Sequence, residues 1–176
     1  EGYQNLIHLV SISHMDGFYY KPRLDLATIA SHSEGLIAIS PGGRGPIASH
    51  LQEQDDEKAL DLAQYLKDMF GDRFYLGIQK VGQPFEDIVQ SGLEDISQQL
   101  AIPIVAMNDV YYLNEEDSDL RDILFCIQTG KHFEDEARAK FQNDALYFKS
   151  AEEMSALFPD HPDYLENSIK IMDRCN

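Results

Sequence analysis

The chain contains no tryptophan and only two cysteines among its 176 residues. Cys126 and Cys175 are too few and too far apart for a disulfide framework or a zinc knuckle, so we expect a protein of the reducing cytoplasm. No stretch approaches the roughly 18 consecutive apolar residues that a membrane-spanning helix needs. The sequence opens Glu1-Gly2-Tyr3-Gln4, with neither an initiator Met nor a secretory leader, and we therefore expect a processed or excised piece of a longer chain.

Positive charge is scarce. The chain has 14 Lys and Arg against 31 Asp and Glu, which gives a formal net charge of −17. Proteins bind DNA and RNA non-specifically through Lys and Arg at phosphates, and a surface this acidic repels a polyanion at long range. The basic residues are also scattered and form no stripe. We therefore expect little direct nucleic-acid contact.

Apolar residues recur at helical spacing in several segments, as is typical of amphipathic helices. The predicted apolar faces are Tyr3, Leu6, Ile7 and Val10; Leu26 and Ile29, after Asp25 as a cap; Leu62, Tyr65, Leu66 and Met69; Phe85, Ile88, Val89, Gly92, Leu93, Ile96 and Leu100; Leu120, Ile123, Leu124 and Ile127, after Asn114 as a cap; and Leu165, Ile169 and Met172, after Pro162. Ser150 and Glu153 match a capping box, which predicts one more helix.

Short apolar runs between these helices predict strands. Residues 35–40 and 102–106 have no polar face, as expected of strands covered on both sides, whereas residues 74–78 alternate apolar and polar. Residues 146–148 predict a further short strand, residues 41–46 a loop, and residues 131–143 an irregular segment. Strands alternating with helices at this spacing predict an α/β fold with mostly parallel strands, and the helical part after about Lys131 is expected to pack on it as an appendage.

Asp109 is the main candidate for chemistry, because ligands gather at the carboxyl ends of parallel strands. It follows the strand predicted at 102–106, and residue 111 would point the same way in extended chain. One interpretation is half of a metal site; the other, which composition favours, is that Asp109 caps a loop or turn. The loop from Gly42 to Gly45 lacks the pattern of a phosphate-binding loop, and its glycines are expected to provide positive φ angles in a tight turn.

The other residue types that metals and nucleophilic chemistry use show no matching pattern. None of the six histidines has the spacing of a common metal motif. Cys126 lies in a predicted core helix, where we expect an inert buried thiol. From its residues alone the chain shows no complete active site.

Several separated motifs nevertheless resemble one family, the alpha subunits of bacterial DNA polymerase III, which are C-family replicative polymerases. The motifs are GYQNL from Gly2, GFYYKPRLD from Gly17, SEGLIAIS from Ser33, NDVYYL from Asn108, DILFCIQTGK from Asp122, KSAEEM from Lys149, ENSI from Glu166 and RCN from Arg174. They occur in the family's order and span essentially the whole chain. The resemblance places the chain in the later part of the polymerase and histidinol phosphatase (PHP) domain.

This resemblance implies a partial, distorted β/α barrel. Residues 1–130 would be the C-terminal part of the PHP domain, and residues 131–176 a mostly helical extension toward the palm. Metal-binding members have Asp-Val-His where this chain has Asp109, Val110 and Tyr111, and a Cys where it has Gly42; the other ligands precede Glu1. Only Asp109 of the three covered ligand positions is kept, and a phenol and a glycine are poor replacements for imidazole and thiolate.

The resemblance also implies a function. The parent chain would be a Mg²⁺-dependent DNA-directed DNA polymerase, and this piece a non-catalytic scaffold that contacts the rest of that chain and docks a proofreading exonuclease subunit. No cofactor is expected in the piece itself. The alternative is a metal-dependent 3′–5′ exonuclease or phosphoesterase with Asp109 as a ligand of Zn²⁺ or Mn²⁺. A third hypothesis, which the motif order disfavours, is an unrelated acidic α/β binding domain. Because a partial barrel exposes unpaired strand edges, we also expect self-association or local disorder.

Overall fold

A sheet of three parallel strands organises the chain. The computed structural model describes residues 1–135, 137–138 and 144–175. Strands β1 (Ala38–Ser40), β2 (Phe74–Ile78) and β3 (Ile104–Ala106) lie in that order, with Ala38 beside Phe74 and Leu76 beside Ile104. This is the predicted α/β fold with parallel strands, and the open, unclosed sheet agrees with the predicted partial barrel.

Eight α-helices are found in the described residues, most of them where the apolar spacing predicts. They are α1 (Gly2–Met15), α2 (Leu26–Ser31), α3 (Pro46–Gln52), α4 (Asp56–Phe70), α5 (Glu86–Leu100), α6 (Ser118–Thr129), α7 (Ala151–Leu157) and α8 (Pro162–Arg174). Two short 3₁₀ turns, Gly71–Arg73 and Glu115–Asp117, precede β2 and α6. Within the described chain no helix combines the length and the apolar character needed to cross a bilayer.

Helices α3, α4 and α5 form the connections between the strands and supply most of the core. Helices α3 and α4 lead from β1 to β2, and α5 leads from β2 to β3. Ile47, Ala63 and Leu93, one from each helix, are nearly inaccessible and pack in one cluster with the sheet. Helix α3 was not predicted, since residues 41–46 read as a loop; Pro46 instead occupies the first turn of α3, where its missing N–H costs nothing.

The buried faces of the strands differ from the prediction. All five residues of β2 are buried, so the alternation of residues 74–78 does not mark a polar face. Gly77 explains part of this, because a Cβ at that position would lie 2.3 Å from the Ser40 carbonyl oxygen and 2.2 Å from the Met107 sulfur. Strand β1 is an edge strand and Ile39 is 36% exposed, so the prediction that residues 35–40 are covered on both sides is wrong.

Several helices do not bury the apolar face that their spacing predicts. The apolar residues that remain exposed are Tyr3, Leu6, Ile7 and Val10 on α1; Leu26 on α2; Tyr65 on α4; Ile88 on α5; Leu120, Ile123, Leu124 and Ile127 on α6; and Ile169 and Met172 on α8. Helix α1 instead buries Leu9 and Ser13, and α6 buries only Cys126, as predicted for that thiol. The spacing located most of the helices. It also identified the buried side of α5, where Val89, Leu93 and Ile96 are buried, but the predicted faces of α1 and α6 are exposed.

The last helix, α8, is attached to the sheet at β3 and β2. Asn167 of α8 is buried, and its Nδ2 donates to the carbonyl oxygen of Ile104 in β3 at 2.7 Å. Arg174, at the end of α8, donates to the Tyr75 hydroxyl at 2.9 Å. The predicted domain boundary near residue 130 stays a prediction.

The segment between α6 and α7 is mostly irregular where it is described. Residues 131–135 and 137–138 lie outside helices and strands, and residues 136 and 139–143 of the predicted irregular segment are outside the described residues. Arg138 is buried and forms a bidentate ion pair with Asp122 of α6, at 2.7 and 2.6 Å. The strand predicted at 146–148 is reduced to a single parallel bridge between Tyr147 and Tyr112.

Candidate functional site

A small pocket with both polar and apolar walls lies at the carboxyl ends of the three strands, where the sequence predicts a site. Its volume is about 190 Å³. Its walls come from the loop after β1 (Pro41, Gly43, Arg44), the loop after β2 (Gln79, Val81, Gln83, Phe85), the segment after β3 (Met107, Asn108, Asp109, Tyr111) and Leu146. The structure thus brings Asp109 and Tyr111 together beside the loop that contains Gly42.

Asp109 presents an exposed carboxylate to this pocket. Within the described part of the chain the carboxylate accepts no hydrogen bond and forms no ion pair, so it caps neither the loop nor the following turn. A free carboxylate at the carboxyl end of a parallel strand is well placed to meet a cation or a donor on a ligand.

Tyr111 is held by Leu146, another residue of the pocket wall, and by Arg121. Its backbone N–H donates to the Leu146 carbonyl oxygen at 2.9 Å, and the guanidinium carbon of Arg121 lies 5.3 Å from the centre of its ring. A cation over the face of an aromatic ring is attracted to its negative electrostatic potential. Tyr111 therefore forms a wall of the pocket, and its phenol is not among the groups that commonly bind Zn²⁺ in proteins.

Gly42 is buried against β2 and has no room for a side chain. A Cβ at this position would lie 2.8 Å from the Gly77 carbonyl oxygen and 3.1 Å from the Ile78 Cα. A thiolate at position 42 would therefore require the loop to move. The neighbouring Gly43, not Gly42, lines the pocket.

The glycines of this loop are there for close packing. Among residues 41–46 no glycine has a positive φ angle, so the expectation of a tight turn with positive φ is wrong. A Cβ at Gly45 would lie 2.8 Å from the Pro41 Cδ, and one at Gly43 would lie 2.7 Å from the Gln79 Nε2. The Gly43 carbonyl oxygen accepts from Gln52 of α3 at 3.1 Å, which fixes the loop against that helix.

Residues 145–149 complete the site from a distant part of the chain. The Asn108 Nδ2 donates to the Tyr147 carbonyl oxygen at 2.9 Å, and the Lys149 ammonium donates to the Asn108 Oδ1 at 3.3 Å. Lys149 also donates to the Ala145 carbonyl oxygen, and burial lowers the pKa of its ammonium. This wall could not be predicted, because no local pattern in residues 145–149 indicates which strand end they pack against.

The donor set is too small for a multidentate metal site. Asp109 is the sole carboxylate, imidazole or thiol group among the described residues that line the pocket. More generally, the described residues contain no group of three or more His, Cys, Asp or Glu side chains placed to hold a metal ion. A zinc site usually needs three or four such ligands. These residues on their own do not fit Zn²⁺ or a cluster of ions.

Comparison with known proteins identifies the chain's relatives. Residues 1–81 match the PHP domain family. DNA polymerase III subunit alpha of Borreliella burgdorferi is 41% identical over 175 residues, that of Treponema pallidum 39% over 176, and that of Helicobacter pylori strain 26695 32% over 185, each alignment covering 99% of this chain. The chain spans 15% of the length of each of these relatives. Over that span the chain is similar to bacterial DNA polymerase III alpha subunits, and residues 1–81 match the PHP domain.

Proposed function

We propose that this chain is a non-catalytic scaffold within a bacterial DNA polymerase III alpha subunit, where it supports the polymerase and docks a proofreading exonuclease subunit. The observation that carries the proposal is the makeup of the pocket at the strand ends. Among the described residues of the pocket Asp109 has no companion ligand, Tyr111 contacts Arg121, and Gly42 packs against β2. Hydrolysis of a phosphodiester by a metal-activated water needs an ion held in a fixed geometry.

The whole protein would carry out DNA-directed DNA synthesis in the bacterial cytoplasm, with Mg²⁺ supporting nucleotidyl transfer outside this segment. The net charge of −17 fits a segment that leaves contact with DNA to other parts of the protein. The exposed apolar residues of α1 and α6 fit contact with protein, since large apolar patches on a surface usually mark interaction sites.

Two assays on the full-length protein test the two halves of the proposal. Degradation of a 3′-labelled single strand, with Mn²⁺ or Zn²⁺ present, should be the same for the natural protein and for Asp109→Ala. A specific loss of degradation in Asp109→Ala would favour the exonuclease alternative. Co-elution of the separate exonuclease subunit with the full-length protein tests docking, and an equal co-elution after deletion of this segment would contradict it.

A further inference from the structure

A second concave surface lies away from the strand ends, between three helices. It is an open groove of about 850 Å³. It is lined by the end of α3 (Leu51) and the following Gln54, the beginning of α4 (Asp56, Glu57, Leu60) and one face of α5 (Asp87, Ile88, Ser91, Gly92, Asp95, Ile96, Gln99). We call this surface the acidic groove.

The floor of the acidic groove is apolar. Leu51 and Ile96 are buried beneath it, while Ile88 is 51% exposed at its side. Gly92 is in the middle of this face of α5, and a Cβ there would lie 2.5 Å from the Leu51 Cδ2. Glycine thus lets α3 approach α5 closely and leaves no side chain over the centre of the groove.

The charged residues of the groove are all acidic. Asp56 and Glu57 come from α4, Asp87 and Asp95 come from α5, and all four are exposed. None of the four forms an ion pair or a side-chain hydrogen bond with another described residue.

The position of the four acidic residues in their helices explains only some of the negative charge of the groove. The first turns of α4 and α5 favour Asp56, Glu57 and Asp87, because acidic groups stabilise helix N-termini. Asp95 lies in the third turn of α5, where the helix dipole gives no such reason. The lysines of α4 do not neutralise the groove, since Lys58 pairs with Asp55 and Lys67 donates to the Leu100 carbonyl oxygen.

We infer that the acidic groove binds an amphipathic helix of a partner protein, with apolar side chains on the floor and Lys or Arg side chains against the four carboxylates. Helix-in-groove recognition uses apolar anchors at helical spacing, and complementary charge at the rim speeds association and selects the partner. From Asp87 to Gln99 the face of α5 extends about 18 Å, the length of roughly three helical turns.

Charge also decides between possible occupants. A second copy of this chain also has a net charge of −17, so the acidic groove would repel it. A nucleic acid, which is a polyanion, would be repelled in the same way. A basic segment is attracted instead. The inference rests on the proposed scaffold role in one respect, that the chain has a protein partner. It adds the surface at which that partner binds and the chemistry of the contact.

Fluorescence anisotropy with a defined peptide tests the inference on this chain. The probe is a labelled helical peptide of about 18 residues with Leu at one face and Lys beside it, and its control is a scrambled peptide of the same composition. We expect the amphipathic peptide to bind on the order of tenfold more tightly than the scrambled one, and to weaken as salt is added.

Matched variants locate the binding site. Ile88→Ser should weaken the peptide on the order of tenfold, whereas Ile169→Ser, on α8 and 57% exposed, should not. The double change Asp87→Asn with Asp95→Asn should weaken binding and flatten its salt dependence. Glu152→Gln with Glu166→Gln removes the same charge from the exposed surface of α7 and α8 and should change affinity less than about twofold.

Three results would overturn the inference. The first is that the scrambled peptide binds as tightly as the amphipathic one, and the second is that the groove variants and the control variants have equal effects. The third is a homodimer, seen in sedimentation, that Ile88→Ser dissociates. That third result would mean that the groove binds a second copy of the chain. Circular dichroism melting confirms that each variant is folded. The result is separable from the scaffold proposal, because the nuclease assay with Asp109→Ala does not involve the groove.

Discussion

Gly42 and Gly43 are neighbours in sequence, but a side chain at each would meet different surroundings. At Gly42 the nearest atoms are the backbone of β2, with the Gly77 carbonyl oxygen 2.8 Å away. At Gly43 the nearest atom is the Nε2 of Gln79, at 2.7 Å, which belongs to a flexible side chain. Backbone in the central strand cannot move without disturbing the sheet, whereas a glutamine side chain can rotate away.

Gly42→Ala should therefore destabilise the chain more than Gly43→Ala. We expect Gly42→Ala to lower the free energy of unfolding by about 1–3 kcal/mol, the usual cost of forcing extra volume into a packed site. Gly43→Ala is the matched control and should cost less than half as much. Urea unfolding followed by circular dichroism measures both, and equal losses would show that the loop, not β2, determines the cost.

Some of the candidate site could be predicted from single residues and some could not. The position of Asp109 at a strand end follows from the apolar run that precedes it, and the structure places it there. The contact of Tyr111 with Arg121 and the wall formed by Leu146 depend on residues far along the chain. No local pattern in the sequence specifies such contacts.

At the scale of helices and strands, periodicity predicted the elements better than the faces they bury. The apolar stripe of α6 at Leu120, Ile123, Leu124 and Ile127 is exposed. Helix α4 buries Ala59 and Ala63, which are too small to stand out in a stripe, together with Phe70. Periodicity reports only that a helix has an apolar side. Which neighbour covers that side is set by the packing of the whole fold.

Helix α8 is attached to β3 by a buried polar contact, and this attachment can be measured. Asn167→Ala would leave the Ile104 carbonyl oxygen without the donor that now lies 2.7 Å away. An unsatisfied buried acceptor costs about 1–3 kcal/mol, so the free energy of unfolding should fall by that amount. Glu166→Ala, an exposed neighbour on α8, is the control and should change stability far less. Similar values for the two variants in urea unfolding would contradict this role of Asn167.

The capping box at the start of α7 predicts a pH dependence. Hydrogen bonds from the Tyr147 hydroxyl, at 2.6 Å, and from the Ser150 N–H, at 2.7 Å, lower the pKa of the Glu153 carboxyl below its ordinary value of 4.5. A lowered pKa in the folded state means that the bonds stabilise the fold above that ordinary value, and that this stabilisation is lost as the pH falls through the folded value.

The natural chain should therefore melt at a higher temperature than Glu153→Gln at pH 7, and the difference should shrink as the pH falls below the ordinary pKa of the carboxyl. Glu152→Gln is the control, because Glu152 is exposed and accepts no hydrogen bond from another described residue. Thermal melting of the natural chain and both variants at a series of acidic pH values measures these differences. A difference that stays constant down to the lowest pH at which the chain is folded would contradict this account.

At the scale of the whole molecule, two helices leave apolar stripes exposed on the described surface. The exposed residues on α1 and α6 form stripes at helical spacing. Exposed patches of this kind drive association. We expect the isolated chain to self-associate as its concentration rises, which sedimentation velocity would detect.

A single charge on the α6 stripe should reduce that association. Ile127 is 73% exposed, and Ile127→Glu introduces a carboxylate into the stripe. Gln128→Glu adds the same charge one position along the helix, outside the stripe, and should have a smaller effect. A monomer at all concentrations, or equal effects of the two variants, would show that α6 is not the associating surface.

The central claim is that this chain does not hold a catalytic metal centre. The measurement that tests it most directly is the Zn and Mn content of the full-length protein, by inductively coupled plasma mass spectrometry, before and after exposure to Mn²⁺ and Zn²⁺. Because Asp109 has no companion ligand among the described residues of its pocket, we predict no stoichiometric Zn or Mn, and no difference between the natural protein and Asp109→Ala. Two or more tightly bound ions per chain that are lost in Asp109→Ala would contradict the scaffold role and make a metal-dependent exonuclease the better account.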